Sequence, residues 1–320
     1  MLLIERAGIV LERTELAFEA KGVLNPAVIT FNGQIHMFYR AVSNNMVSTL
    51  GHCELSDPLT IQSRSKAPIV SPLGQQESMG IEDPRIVKIE QYFFLSYTAF
   101  DGKNALGALL LSKDLKAFSR AGIIVPEIPL GEVPPTKSLL KVWDKNLVFF
   151  PRKIKQKLYF FHRIKPAILL TAVASLSDLT PLFWFDFLNQ KDAHTLNFQF
   201  HLNQPNYVGA GCPPIETDLG WIVIFHAAFE SQGQITYQIH VALLDIEDPL
   251  HILAQLPYPI LEPVMDYERF GNVPDVVFPT ACLLHQEYLY IYYGAADTCI
   301  ACASVLLADL KAALVANLYT

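Results

Sequence analysis

The chain has 320 residues, 51% of them hydrophobic and 17% charged, with a net charge of −7 and a pI near 5.7. That much apolar material supports a sizeable core and excludes a disordered chain. The acidic balance, with no basic block, argues against nucleic acid or an anionic membrane as the main partner, and no apolar run reaches the roughly 18 residues of a membrane helix.

At the start, "MLLIERAGIVLER" carries Glu5, Arg6 and Glu12 within its apolar stretch and lacks the basic n-region of a leader, so a cytoplasmic setting is expected. From there short runs of Val, Ile, Phe and Tyr alternate with Gly, Pro, Asn and Asp, an all-β pattern. Five segments share one form: a proline, an apolar strand, a turn, and a second strand ending in an aromatic or polar cluster. In order they are "NPAVITFNGQIHMFYRA", "EDPRIVKIEQYFFLSYTA", "FFPRKIKQKLYFFHRI", "CPPIETDLGWIVIFHAA" and "VFPTACLLHQEYLYIYYGAA". Their prolines, Pro26, Pro84, Pro151, Pro214 and Pro279, are spaced by 58, 67, 63 and 65 residues. Five hairpins at a near-constant period, with further strands between them, predict an all-β, five-bladed β-propeller forming a single domain over residues 1–320. A β-sandwich pair is the competing architecture. The helical signal is sparse; the one good candidate is a C-terminal helix at about 304–319, "SVLLADLKAALVANLY".

The five cysteines are irregularly spaced, and Cys299-Ile-Ala-Cys302 stands alone without a second pair. Buried, inert thiols are expected there rather than a metal or redox site. No phosphate-cradling glycine loop, dinucleotide fingerprint, metal-ligand cluster or nucleophile elbow is present, so no cofactor is expected.

Equivalent positions of a propeller's inner strands converge on a central funnel. On the proline register these are Asn25, Asp83 with Arg85, Arg152, Glu216 and Asp275, with Arg40, Tyr97, Arg163, His226 and Tyr293 at the opposite strand ends. Asp83 is crowded by Glu82 and by the funnel wall, which predicts a raised pKa suited to a general acid; a turn closed by an Arg85 ion pair explains "GIEDPRIV" equally well. The third segment is the most basic, and Arg163 at its strand end is shaped for a phosphate or a pair of sugar hydroxyls. His226 reads either as a core histidine or as a site residue, and Glu216 as a hairpin-end charge or a base. Tyrosines such as Tyr97 and Tyr293 serve as packing or as faces for a sugar ring. Paired acids with aromatic platforms point to glycosides.

Taken in order, "NPAVI", "GIEDPRIV", "NLVFFPRKI", "GCPPIETDLGWIVIFH" and "VPDVVFPTA" followed by "YYGAADT" resemble glycoside hydrolase family 130, inverting β-mannoside phosphorylases and β-mannosidases built on a five-bladed propeller. The resemblance covers nearly the whole chain. It implies that Asp83 is the general acid, passing its proton through a hydroxyl of the bound mannose while inorganic phosphate attacks the anomeric carbon from the opposite face. It implies a phosphate site of Lys145, Asn146 and Arg163 with His226 beside it, and a sugar cleft that includes Arg40, Tyr97 and Asp297. The implied partners are a β-mannoside oligosaccharide and phosphate, and the family includes dimers and larger assemblies. Two positions depart from it: Lys145 stands where an arginine is expected, and Glu216 where some phosphorylases carry a lysine. Glu216 could instead activate water, which keeps an inverting β-mannosidase open beside the phosphorylase. A non-catalytic sugar-binding propeller is the remaining alternative.

Overall fold

A computed structural model describes residues 2–129, 139–200 and 203–319. Its strands run in chain order as follows. β1 (Glu5–Leu11) is followed by β2 (Gly22–Phe31), β3 (Gln34–Val42), β4 (Ser48–Asp57) and β5 (Thr60–Arg64). A second group comprises β6 (Gly80–Ile89), β7 (Tyr92–Phe100), β8 (Ala105–Ser112) and β9 (Ser119–Ile123), with a small hairpin of β10 (Glu127–Pro129) and β11 (Leu139–Lys141) after it. The third is β12 (Lys145–Phe149), β13 (Leu158–Ile164) and β14 (Ala167–Val173), and helix α1 (Pro181–Asn189) follows. The fourth is β15 (Tyr207–Ala210), β16 (Ile215–Thr217), β17 (Gly220–Ser231), β18 (Gln234–Leu244) and β19 (Ile252–Gln255), then the short α2 (Asp266–Arg269). The fifth is β20 (Val277–His285), β21 (Tyr288–Ala295) and β22 (Cys299–Leu306), and α3 (Leu307–Val315) ends the described elements.

Within each group neighbouring strands pair antiparallel, which a chain alternating apolar runs with two-residue turns does most simply. One parallel pairing, Ser48 with Gly80, joins the first two groups into a continuous sheet. β1 pairs antiparallel with β22, so the start of the described chain supplies the outer strand of the fifth group.

Both faces of the inner strands are buried, and the alternation of side chains shows against what. On β17, Ile222 and Ile224 join a cluster with Val277 and Ile291 of the fifth group. Trp221, Val223 and Phe225 on the other face join Val148 and Phe161 of the third. The same split recurs throughout. Met37 and Tyr39 pack with Tyr292 and Cys302, Phe38 with Leu95 and Ile86, and Phe94 with Phe149 and Phe160. Hydrophobic contact therefore passes from each group to the next and returns from the fifth to the first.

The helices differ from expectation. Ser304–Leu306 belong to β22, hydrogen-bonded opposite Tyr290–Tyr288, and only Leu307–Val315 are helical. Pairing to β21 and β1 overrides the helix propensity of those residues. Helix α1 was not foreseen; its local signal is Thr180, whose hydroxyl accepts from the Phe183 N–H, with Pro181 in the first turn.

Candidate active site

Three first strands carry the same irregularity. The pairing of β2 with β3 slips between Leu24 and Ala27, that of β6 with β7 between Glu82 and Arg85, and that of β12 with β13 between Lys145 and Val148. At each slip one residue adopts a left-handed backbone: Asn25 at φ 50°, Asp83 at 52° and Asn146 at 56°. Asn and Asp tolerate that conformation better than other side chains. A bulge re-aims the side chain it carries, and all three residues line one cleft of about 180 Å³. Arg40, Lys145, Arg163, Tyr237, Val273, Val276, Phe278 and Asp297 complete its wall. Two glycines make room. A Cβ on Gly209 would fall 2.4 Å from the His226 ring, and one on Gly294 would fall 2.0 Å from Asn25 Oδ1.

Asp83 is buried at the centre. Its Oδ1 accepts from Asn25 Nδ2 at 2.7 Å and from Arg40 Nη1 at 3.3 Å. Its carbonyl accepts from Arg85 Nη1 at 2.7 Å, and Arg85 Nε donates to the carbonyl of Gly211 at 3.2 Å, so Arg85 braces the bulge from behind. Arg40 Nη2 pairs with Glu82 at 2.6 Å, and Lys145 Nζ takes the other Glu82 oxygen at 3.2 Å. The Lys145 ammonium also lies 5.7 Å from the Phe100 ring and 5.8 Å from Trp143. Arg163 stacks 4.8 Å over Tyr207 and donates from Nη1 to Nε2 of buried His226 at 3.3 Å.

These contacts set the protonation states. Burial alone would raise the Asp83 pKa, but Arg40, Arg85, Lys145 and the Asn25 amide outweigh it, and the group is held below its ordinary value. The expectation of a raised pKa is therefore reversed: three cations, not Glu82, dominate its surroundings. Asp297 goes the other way, to about 6, because burial and the charges of Asp83 and Glu82 exceed the pull of Arg40 and Lys145. His226 is pushed well below its usual value by burial, Arg163 and Arg85, so its imidazole is neutral and can accept from Arg163.

Of the residues singled out in the sequence, Asp83, Arg40, Lys145, Asn146, Arg163 and Asp297 lie on the cleft, and His226 stands directly behind Arg163. Tyr97 does not. It is 2% exposed, and its hydroxyl donates to Glu77, which also pairs with Arg120. The same trio occurs as Tyr39, Glu19 and Arg64, and as Tyr293, Glu268 and Arg6. These tyrosines tie each loop entering a sheet to that sheet's outer strand, which is why repetition made Tyr97 and Tyr293 look like site residues. Glu216 is also elsewhere. Its side chain is 45% exposed and holds Arg152, whose Nε lies 2.9 Å from both carboxylate oxygens. It sits opposite Trp221, five residues from His226 along β17, roughly 17 Å of strand. Arg152 is thus a surface partner, and the third equivalent of Asn25 and Asp83 is Asn146. Asp275 pairs with Gln234 and Arg269 outside the cleft wall. Asn25, Tyr237, Val276 and Phe278 were missed as wall residues or undervalued. For Asn25 and Asn146 the available signal was an Asn or Asp just ahead of an apolar run, in "LNPAVI", "EDPRIV" and "KNLVFF".

Cys53, Cys212, Cys299 and Cys302 are buried free thiols, and Cys282 is half-buried and free. Among the described residues no group of three or more His, Cys, Asp or Glu side chains is arranged to hold a metal ion. No described helix is long and apolar enough to cross a membrane.

The profile of glycoside hydrolase family 130, described as β-1,4-mannooligosaccharide phosphorylase, matches residues 5–313. Two proteins of Thermoanaerobacter sp. (strain X514) are each 31% identical to the chain. One is a 1,2-β-oligomannan phosphorylase, aligned over 95% of this chain and 96% of the relative. The other is a β-1,2-mannobiose phosphorylase, aligned over 91% and 92%. Among solved structures, the β-1,2-mannobiose phosphorylase of Listeria innocua in complex with β-1,2-mannobiose superposes with a TM-score of 0.76 at 21% identity, covering 98% of this chain and 99% of that one. A family member from work on glycoside hydrolases that target β-1,2 mannosidic linkages in Candida mannan superposes at 0.78 and 21% identity, over 95% and 93%.

Proposed function

The chain belongs to glycoside hydrolase family 130, the β-mannoside phosphorylases, and on that premise we propose that it catalyses inverting phosphorolysis of β-1,2-linked manno-oligosaccharides to α-mannose 1-phosphate and a shortened sugar. The β-1,2 linkage is proposed because the two relatives aligned over nine-tenths of the chain act on it. The five sheet groups, whose packing returns from the last to the first, are read as the blades of one five-bladed propeller with the cleft at its axis.

The observation that carries the proposal is the convergence of Asp83 with Lys145, Asn146 and Arg163 in a single cleft. Arg40 and Asp297 hold the mannose hydroxyls beside Asp83. Phosphate sits on Lys145, Asn146 and Arg163, with neutral His226 fixing the guanidinium. A phosphate oxygen forms the bond to C1 as the bond from C1 to the glycosidic oxygen breaks. That oxygen takes a proton originating on Asp83, and the proton of the attacking hydrogen phosphate restores the balance. In the free site Asp83 is ionised by its cations. A phosphate dianion on Lys145 and Arg163 offsets the Lys145 charge and brings negative charge close to Asp83, and the sugar removes water, so both ligands push Asp83 toward the protonated form in the ternary complex. Glu216, paired with Arg152 on the surface, loses its support as a water-activating base.

The test is incubation with β-1,2- and β-1,4-mannobiose, with and without phosphate, followed by NMR of the anomeric signals. α-Mannose 1-phosphate formed only with phosphate is expected. Free mannose released at the same rate without phosphate overturns phosphorolysis, and a preference for the β-1,4 substrate overturns the linkage.

A further inference from the structure

Behind the proposed phosphate site lies a buried polar chain to which no role has been given. Asp144, fully buried, directly precedes Lys145 and Asn146. Its Oδ1 accepts the backbone N–H of Arg163 at 3.2 Å, and its Oδ2 accepts from Nδ1 of fully buried His162 at 2.6 Å. His162 Nε2 lies 3.0 Å from Thr171 Oγ1 on β14. One carboxylate thus ties the start of β12, with Lys145 and Asn146, to the end of β13, with Arg163.

The position is informative by comparison with the other sheets. Arg40, Thr98 and Arg163 each stand opposite the residue before a bulge. The residue preceding each is Tyr39, Tyr97 and His162. In the first two sheets that residue is a tyrosine bonded to a glutamate of the entering loop. In the sheet that brings two cations to the cleft it is a histidine, bonded to an aspartate adjoining both.

We propose that Asp144, His162 and Thr171 are positioning residues for phosphate, holding Lys145 and Arg163 at the separation that a phosphate bridges. This rests on the phosphate reading above. Two effects of the Asp144 carboxylate oppose each other. Its negative charge, close to the site, weakens anion binding by Coulomb repulsion; its hydrogen bonds fix the two cation-bearing strand ends. Positioning outweighs repulsion, because the carboxylate is fully buried and bonded to His162 and the Arg163 amide.

The experiment is phosphorolysis of β-1,2-mannobiose by Asp144→Asn, His162→Asn and Thr171→Val, with the KM for phosphate and for sugar measured separately. Asp144→Asn is expected to raise the phosphate KM at least about tenfold while the mannobiose KM stays within about twofold. His162→Asn keeps an N–H near Nδ1 and should lose less phosphate affinity than His162→Leu. Thr171→Val, nearly isosteric, covers the case in which Asp144→Asn does not fold, and should raise the phosphate KM alone. A lowered phosphate KM in Asp144→Asn would mean that charge outweighs positioning and overturns the inference, as would equal changes in both KM values or a loss of thermal stability alone. If the wild-type enzyme shows no phosphate dependence, the phosphate reading fails and this inference with it; a phosphate-dependent wild type with unmoved variants defeats only the inference.

Discussion

At the scale of single residues, the site is a problem of charge. Glu82, Asp83 and Asp297 face Arg40, Lys145 and Arg163, and the two aspartates are driven apart: Asp83 below its ordinary value, Asp297 up to about 6. Replacing Asp83 with Asn removes the proton carrier without changing shape. We expect kcat to fall by about 100-fold or more, with a smaller change in phosphate KM, measured by mannose 1-phosphate release. Asp297 predicts a pH dependence. If its ionised form binds the sugar, kcat/KM rises with pH through about 6, and Asp297→Asn lowers kcat/KM and abolishes that limb; an unchanged limb would remove Asp297 from the sugar site. Stability has the opposite sign. A carboxyl whose folded pKa is raised favours the fold most below its unfolded pKa, and that contribution is lost as pH climbs through about 6. Asp297→Asn should therefore gain on the wild type between pH 4 and 7, by roughly 1–3 kcal/mol in denaturant titrations.

At the scale of elements, three bulges and two glycines do the positioning. The bulge residues Asn25, Asp83 and Asn146 sit on largely buried strands, and the register slip at each one re-aims its polar group toward the cleft. Gly209→Ala tests the supporting strand. Its Cβ would press on His226 and come within 3.0 Å of Asn146 Oδ1. The His226 ring is fully buried and has little room to yield, so we expect a stability loss of about 1–3 kcal/mol and a phosphate KM raised more than the sugar KM. Equal effects on both substrates would place His226 outside the phosphate site. The bulges also show what the proline register concealed. Pro26 and Pro84 follow bulge residues, but Pro151 does not; the third copy is Asn146-Leu147, so Arg152 was matched to Arg85 in error. A proline recurs in these segments whether or not the register slips beside it, whereas a left-handed Asn or Asp marks the slip itself.

At the scale of the whole molecule, β1 lies beside β22 and joins the start of the described chain to the fifth sheet. Arg6 on β1 pairs with fully buried Glu268 at 2.9 Å, and Glu268 also accepts from the Tyr293 hydroxyl and from the Val264 and Met265 amides. Glu268→Leu would strand those donors and is expected to cost about 3–5 kcal/mol, seen as a large drop in thermal midpoint, while Glu216→Ala, which breaks an exposed pair, should change stability by less than about 1 kcal/mol and leave phosphorolysis intact. The mostly-β architecture, its five-fold period and the positions of Asp83, Arg163 and His226 were legible in the sequence through repetition, while Lys145 entered the site only through the family resemblance. Alternation, turn residues and apolar content are local properties, and repetition multiplies a weak local signal. Only the tertiary structure decided which equivalent residues serve the cleft. Tyr97 and Glu216 occupy plausible sequence positions, yet one is held by Glu77 and the other by Arg152. The Asp83 carboxyl is likewise held ionised by Arg40 and Lys145, brought to it from 43 and 62 residues away, together with its near neighbour Arg85. Pairing and pKa depend on neighbours across space, and the chain's order in sequence does not contain those distances.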